Sequence, residues 1–180
     1  SKLTTQDLGF ILGPRINAAG RMDNMRIGIE CLLAETFEQA LPLAQQLDAL
    51  NRERRRVEAG MKEEAMRLLA DSTYTNLDEI PPAIVLFEAG WHQGGIGIVA
   101  GRLKAQFHRP TIVFAPSDDG IHIKGSARSI EGVHIRDAIE RVAEQYPHLV
   151  THFGGHAMAA GLTLPLEHLQ AFIAEFQAVI

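Results

Sequence analysis

The stretch Phe153-Gly154-Gly155-His156-Ala157-Met158-Ala159-Ala160-Gly161-Leu162 sets one titratable side chain among backbone positions almost free of bulk. Glycines at 154 and 155 reach dihedrals closed to other residues and let a ligand approach the main chain closely. Exposed N–H groups there can cradle a phosphate, with the imidazole of His156 beside them. A tight turn leading into a buried strand would use the same residues, and local chemistry leaves the two readings open.

Lys124-Gly125-Ser126-Ala127-Arg128 reads as a strand. Alternate residues of a strand share a face, so Lys124, Ser126 and Arg128 project together as two cations with a hydroxyl between them. That combination suits a phosphodiester backbone. A solvated sheet face gives the same pattern, but the small partners Gly125 and Ala127 leave the opposite face tight and favour a ligand. Arg15, Asn17 and Arg21 form a second cluster, in which guanidinium groups fork onto phosphate oxygens and the amide bonds a sugar or a base edge. The competing reading has Asn17 capping a turn and the arginines paired with Asp7 or Asp23.

Gly90-Trp91-His92-Gln93-Gly94-Gly95 lies between a strand and a helix, where the first amides of a helix can hold an anion. Trp91 is read there as a core residue in preference to a platform for a base. His108, His122, His134, His148, His152 and His168 lack metal-ligand spacing and are read as structural or solvent-facing. Arg52, Arg54, Arg55 and Arg56 are read as a solvated helix face partnered by Glu53 and Glu58, the alternative being the positive wall of a groove.

Together these motifs resemble a known family. Phe153-Gly154-Gly155-His156-Ala157-Met158-Ala159-Ala160-Gly161 resembles the signature of the domain that accompanies the catalytic domain of DHH phosphoesterases. With Phe before the two glycines it looks most like the RecJ family of single-strand-specific DNA exonucleases. Leu12-Gly13-Pro14-Arg15-Ile16-Asn17-Ala18-Ala19-Gly20-Arg21-Met22-Asp23 is similar to the segment that closes that family's catalytic domain. Gly90-Trp91-His92-Gln93-Gly94, Ile96-Gly97-Ile98-Val99-Ala100, Arg102-Leu103 and Lys124-Gly125-Ser126-Ala127-Arg128-Ser129 match in type and order.

The resemblance implies that Arg128, Ser129, Gly154, Gly155 and His156 face a bound single strand of DNA, and that the Arg15 segment lies beside a metal centre. It also implies an activity for a longer parent protein: stepwise hydrolysis from the 5′ end, with manganese or magnesium, in DNA repair and recombination. DHH phosphoesterases use two metal ions held by aspartates and histidines. No Asp-His-His and no Asp-x-Asp cluster precedes the connecting helix described below. No catalytic residue and no metal ligand are therefore expected in this chain, which should not hydrolyse DNA by itself. Two other functions fit the Gly-Gly-His element: a phosphodiesterase for short oligonucleotides or cyclic dinucleotides, and a non-catalytic single-strand-binding module.

The elements that would position these groups follow from periodicity. Residues 1–35 read as short helices interrupted at Gly13-Pro14 and Gly20, with no strands to cover their apolar residues, as in the helical tail of a catalytic domain. Thr36-Phe37-Glu38-Gln39 has capping-box form and opens a helix across 36–71, about 50 Å long, a connector between domains. Residues 72–82 read as a linker ending in Pro81-Pro82. Over 83–180 strands are read at 83–87, 111–115, 121–128 and 157–164, and helices at 96–107, 133–146 and 166–179. The expectation is an α/β fold, a mixed sheet with packed helices, preceded by the connecting helix and the helical tail.

The chain has 180 residues, of which 46% are hydrophobic, ample for a core. No apolar run reaches the roughly 18 residues of a spanning helix, and the start is not that of a signal peptide, so a cytoplasmic protein with no membrane partner is expected. Lone Cys31, among Ile29, Leu32 and Leu33, reads as a buried, inert thiol in preference to a nucleophile. Net charge is −5, with eight Lys and Arg against eight Asp and Glu in residues 1–60 and nine against fourteen thereafter. A nucleic-acid surface must then be local. A monomer is expected, and the absence of an initiator Met suggests a piece of a longer protein.

Overall fold

The computed structural model describes residues 3–71 and 81–180, and the chain divides into two compact units, Ser1–Ala59 and Gly60–Ile180. In the first, a π-helical turn, Asp7–Leu12, runs unbroken into α1 (Gly13–Met22), and α2 (Arg26–Leu33) follows. The interruption read at Gly13-Pro14 is therefore absent. The amide of Gly13 reaches back five residues to the Leu8 carbonyl. This wider turn leaves room for the proline ring, which would clash with a carbonyl four residues back in a regular helix. Gly20 likewise lies inside α1, where a Cβ would come within 2.6 Å of Cε of Met25. Small residues thus let the two helices approach, while Leu8, Phe10, Leu32 and Leu33 stay exposed.

Helix α3 spans Phe37–Asp71, with Pro42 inside it. Its capping residues behave as read: Oγ1 of Thr36 accepts from the Gln39 amide at 3.3 Å, and the Gln39 side chain accepts from the Glu35 amide at 3.1 Å. Arg52, Arg54 and Arg56 pair with Asp48, Glu58 and Glu53 of the same helix. The division between units falls within α3, and its last turns belong to the second unit. There Met61 and Ala65 are buried, and Nε1 of buried Trp91 donates to Glu64 at 2.7 Å. Of the linker read at 72–82, residues 72–80 lie outside the described residues.

The second unit continues with β1 (Ile84–Phe87), α4 (Gln93–Phe107), β2 (Thr111–Pro116), β3 (His122–Arg128), α5 (Ile135–Gln145), β4 (His152–His156), β5 (Ala159–Pro165), a 3₁₀ turn at Leu166–His168 and α6 (Leu169–Val179). The sheet order is β1-β2-β3-β5-β4. Strands β1 and β2 are parallel and the remaining pairs antiparallel, so the expected mixed α/β sheet is found.

Strand β2 is apolar from Ile112 to Ala115 and buried on both faces, as the centre of a layered sheet requires. On one face α5 presents Ile135, Ala138, Ile139 and Val142, a stripe at helical spacing. With Phe172 and Phe176 of α6 it closes the core over Phe114, Leu162 and Leu164. Burying each such side chain contributes about 1.5–3 kcal/mol. On the other face α4 packs against β2 and β3.

Candidate nucleic-acid interface

The backbone register determines which side chains share a surface. Strand β3 alternates between buried Ile123, Gly125 and Ala127 and the outward Lys124, Ser126 and Arg128. The tight opposite face inferred from Gly125 is present: a Cβ there would fall 2.5 Å from the Phe114 ring and 2.7 Å from Leu162. In β5, Ala160, Leu162 and Leu164 point into the core, and Ala159, Gly161 and Thr163 lie on the side of Ser126.

The Gly-Gly-His element, read above as a loop or turn, is the edge strand β4. Glycines have low strand propensity, which hides the strand from a local reading, but all five residues of β4 pair in register with β5. Gly155 adopts φ +148°, and a Cβ on it would collide with the backbone of Ala159 and Ala160. At Gly154 a Cβ would meet nothing within 4 Å.

Three cross-strand rows result. Arg128, Ala159 and His156 form the first, Ser126, Gly161 and Gly154 the second, and Lys124, Thr163 and His152 the third. The ends of a row are roughly 10 Å apart, two strand spacings. The middle row carries only one hydroxymethyl group, so the face is a shallow trough floored by backbone and flanked by cationic and imidazole side chains. Lys124, His152, Gly154, His156 and Gly161 are exposed along it. None of the three strands contains a carboxylate, which concentrates positive charge on a face of an acidic chain.

At its inner end the trough is preorganised. Nη1 of Arg128 donates to Oγ of Ser126 at 2.9 Å and to the Ala127 carbonyl at 2.8 Å. Ser129 does not join them. It is fully buried, and its hydroxyl donates to the Val133 carbonyl at 2.6 Å. Its amide donates to the Met158 carbonyl and that of Ile135 to the Ala157 carbonyl, both at 3.0 Å. These bonds hold the two-residue turn between β4 and β5. Ala157 and Met158 both lack the positive φ that two-residue hairpin turns favour, so the neighbouring loop supplies what the turn lacks.

The cluster read on α1 is split. Arg15 pairs with Asp48 at 2.8 Å, and not with Asp7 or Asp23, and it also donates to the Ile11 carbonyl. Asn17 and Arg21 lie one turn apart and are exposed. His92 and His134 are caps whose Nδ1 atoms accept the amides of Gly94 and Asp137, at the starts of α4 and α5. His122 braces a turn through Asp119 at 2.8 Å. His152, set aside in the sequence reading, belongs to the trough, and the alternation His152-x-Gly154-x-His156 was the signal for it. Among the described residues no group of three or more His, Cys, Asp or Glu side chains is placed to hold a metal ion, and no helix is long and apolar enough to cross a membrane.

Residues 81–180 match the DHHA1 domain, and the chain belongs to that family. Over 171 residues it is 52% identical to the single-stranded-DNA-specific exonuclease RecJ of Haemophilus influenzae, an alignment covering 95% of this chain and 29% of the relative. RecJ from Thermus thermophilus in complex with Mg2+ superposes with a TM-score of 0.80 at 30% identity, over 96% of this chain and 25% of that one. A manganese-bound exonuclease RecJ gives 0.78 at 30% identity, over 97% and 41%. The chain thus spans under a third of the first relative's length.

Proposed function

We propose that this chain is the strand-holding part of a RecJ-type exonuclease and that single-stranded DNA lies across β3, β5 and β4 with its phosphates in the trough. The observation that carries this reading is the carboxylate-free face of three strands in a chain of net charge −5, with Lys124, Arg128, His152 and His156 around a glycine floor. Guanidinium and ammonium groups bind phosphate oxygens with charge-assisted hydrogen bonds. The bare middle row admits the sugar-phosphate chain close to the sheet. Ser126 adds a hydroxyl beside Arg128, and Asn17 and Arg21, exposed on α1 of the first unit, are proposed as single-strand contacts in their own right. Arg15 and Ser129 act from behind, the one by bracing α1, the other by holding the hairpin.

For the whole protein the reading extends to removal of nucleotides from the 5′ end with manganese or magnesium, in cytoplasmic DNA repair and recombination, by a monomer. The contribution of this part is positioning, which fixes the scissile bond relative to a catalytic centre supplied elsewhere. The test is binding of a labelled single-stranded oligonucleotide by fluorescence anisotropy. Arg128→Ala should weaken it about tenfold, the worth of one charge-assisted hydrogen bond, and His156→Ala should weaken it less, with melting temperatures unchanged. Unaltered binding in both variants would refute the assignment of this face. Digestion of a long strand in preference to a dinucleotide by the whole protein separates it from the short-substrate phosphodiesterases.

A further inference from the structure

Helix α4 crosses the sheet above Ser126 and Arg128, and the residue it presents at the crossing is Gly97. A Cβ built on Gly97 would lie 2.9 Å from Nη2 of Arg128 and 3.1 Å from Oγ of Ser126, inside contact distance of both. The helix has no use of its own for a glycine there. Gly97 does not take a positive φ, and a glycine within a helix is less favourable than alanine by about 1 kcal/mol. Gly101, one turn further along, shows what an unconstrained position looks like: a Cβ there would meet nothing within 4 Å.

We infer that Gly97 is a positioning residue for the phosphate-binding pair: its missing side chain is the space that lets the Arg128 guanidinium lie folded over Ser126. This rests on the proposed role of the trough. The atoms a Cβ would strike are side-chain atoms of the binding groups themselves, and no backbone atom approaches as closely. An added methyl is therefore relieved at small cost by moving the tip of a flexible arginine. The fold survives while the donors leave the place from which they meet a phosphate.

The prediction separates a site effect from a packing effect, because the two have opposite signs for stability. In the 180-residue chain, Gly97→Ala should melt at or above the wild-type temperature through its better helix propensity, yet bind a labelled single-stranded oligonucleotide about as weakly as Arg128→Ala, on the order of tenfold below wild type. Gly101→Ala should gain the same stability and keep wild-type binding. The double variant Gly97→Ala with Arg128→Ala should bind within about twofold of Arg128→Ala alone, since Gly97 acts through that arginine. Wild-type binding by Gly97→Ala beside weak binding by Arg128→Ala would overturn the inference and leave the trough standing. Undiminished binding by Arg128→Ala would overturn the inference, and the same result for His156→Ala would remove the trough as well. A drop of many degrees in melting temperature for Gly97→Ala would assign the glycine to helix packing and likewise overturn the inference.

Discussion

At the scale of single residues, adjacent Gly154 and Gly155 make different demands. Gly155 has a positive φ and no space for a Cβ, because its neighbours there are backbone atoms of β5 that cannot turn aside. Gly154 has open space. Gly155→Ala should therefore cost stability, on the order of 2 kcal/mol or more from strain and displaced pairing, seen as a lower thermal midpoint. Gly154→Ala should melt like wild type but weaken single-strand binding, since its methyl rises from the trough floor. Equal midpoints for the two variants would contradict the register described for β4. From sequence the pair reads only as permissive backbone, because nothing local distinguishes a glycine facing solvent from one facing the neighbouring strand.

At the scale of elements, two connections keep the trough in shape. The first is the loop of residues 129–134. Ser129→Ala removes the bond to the Val133 carbonyl and should cost about 1–2 kcal/mol of stability, with binding reduced less than in Arg128→Ala. A phosphate contact would give the reverse order, so paired melting and binding curves decide the role of Ser129. The second is the turn between β2 and β3. Asp119 accepts from the amides of His122 at 2.9 Å and Ile121 at 3.0 Å and meets the His122 ring. Those bonds, the His122 amide foremost, hold its carboxyl down at about 2. A depressed carboxylate stabilises above its ordinary value near 4 and loses that contribution as pH falls towards 2. Asp119→Ala should thus lower the melting temperature at neutral pH, and the difference from wild type should shrink between about pH 4 and 2. A constant difference across that range would show that the carboxylate does not hold the turn.

At the scale of the molecule, net charge and local charge have opposite signs. A chain of net charge −5 repels polyanions at long range, so on the proposed reading most of the affinity comes from a few local phosphate contacts, chiefly those in the trough. The logarithm of the single-strand binding constant should fall with the logarithm of salt concentration at a slope of about −2 to −3, roughly 0.7 per neutralised phosphate. A slope steeper than about −5 would require contacts far outside β3, β5 and β4. On the proposed reading, in which the catalytic centre is supplied elsewhere, incubation of the 180-residue chain with single-stranded DNA and manganese or magnesium should release no nucleotides. Metal-dependent digestion by a clean preparation would contradict this.

Periodicity and chain chemistry by themselves determined most elements of this protein: the alternating strand of Lys124, Ser126 and Arg128, the capped helix α3 and the amphipathic α5; the family was legible through the resemblance of its motifs. Each is written within a few neighbouring residues, where spacing maps directly onto one face. Only the tertiary structure decided that Gly154, Gly155 and His156 form an edge strand, that His152 and Thr163 complete the trough, that Ser129 is buried, and that Gly97 abuts Arg128. Those facts arise from pairing between residues tens of positions apart. Register and helix placement across such distances are set by core packing, to which no local pattern answers.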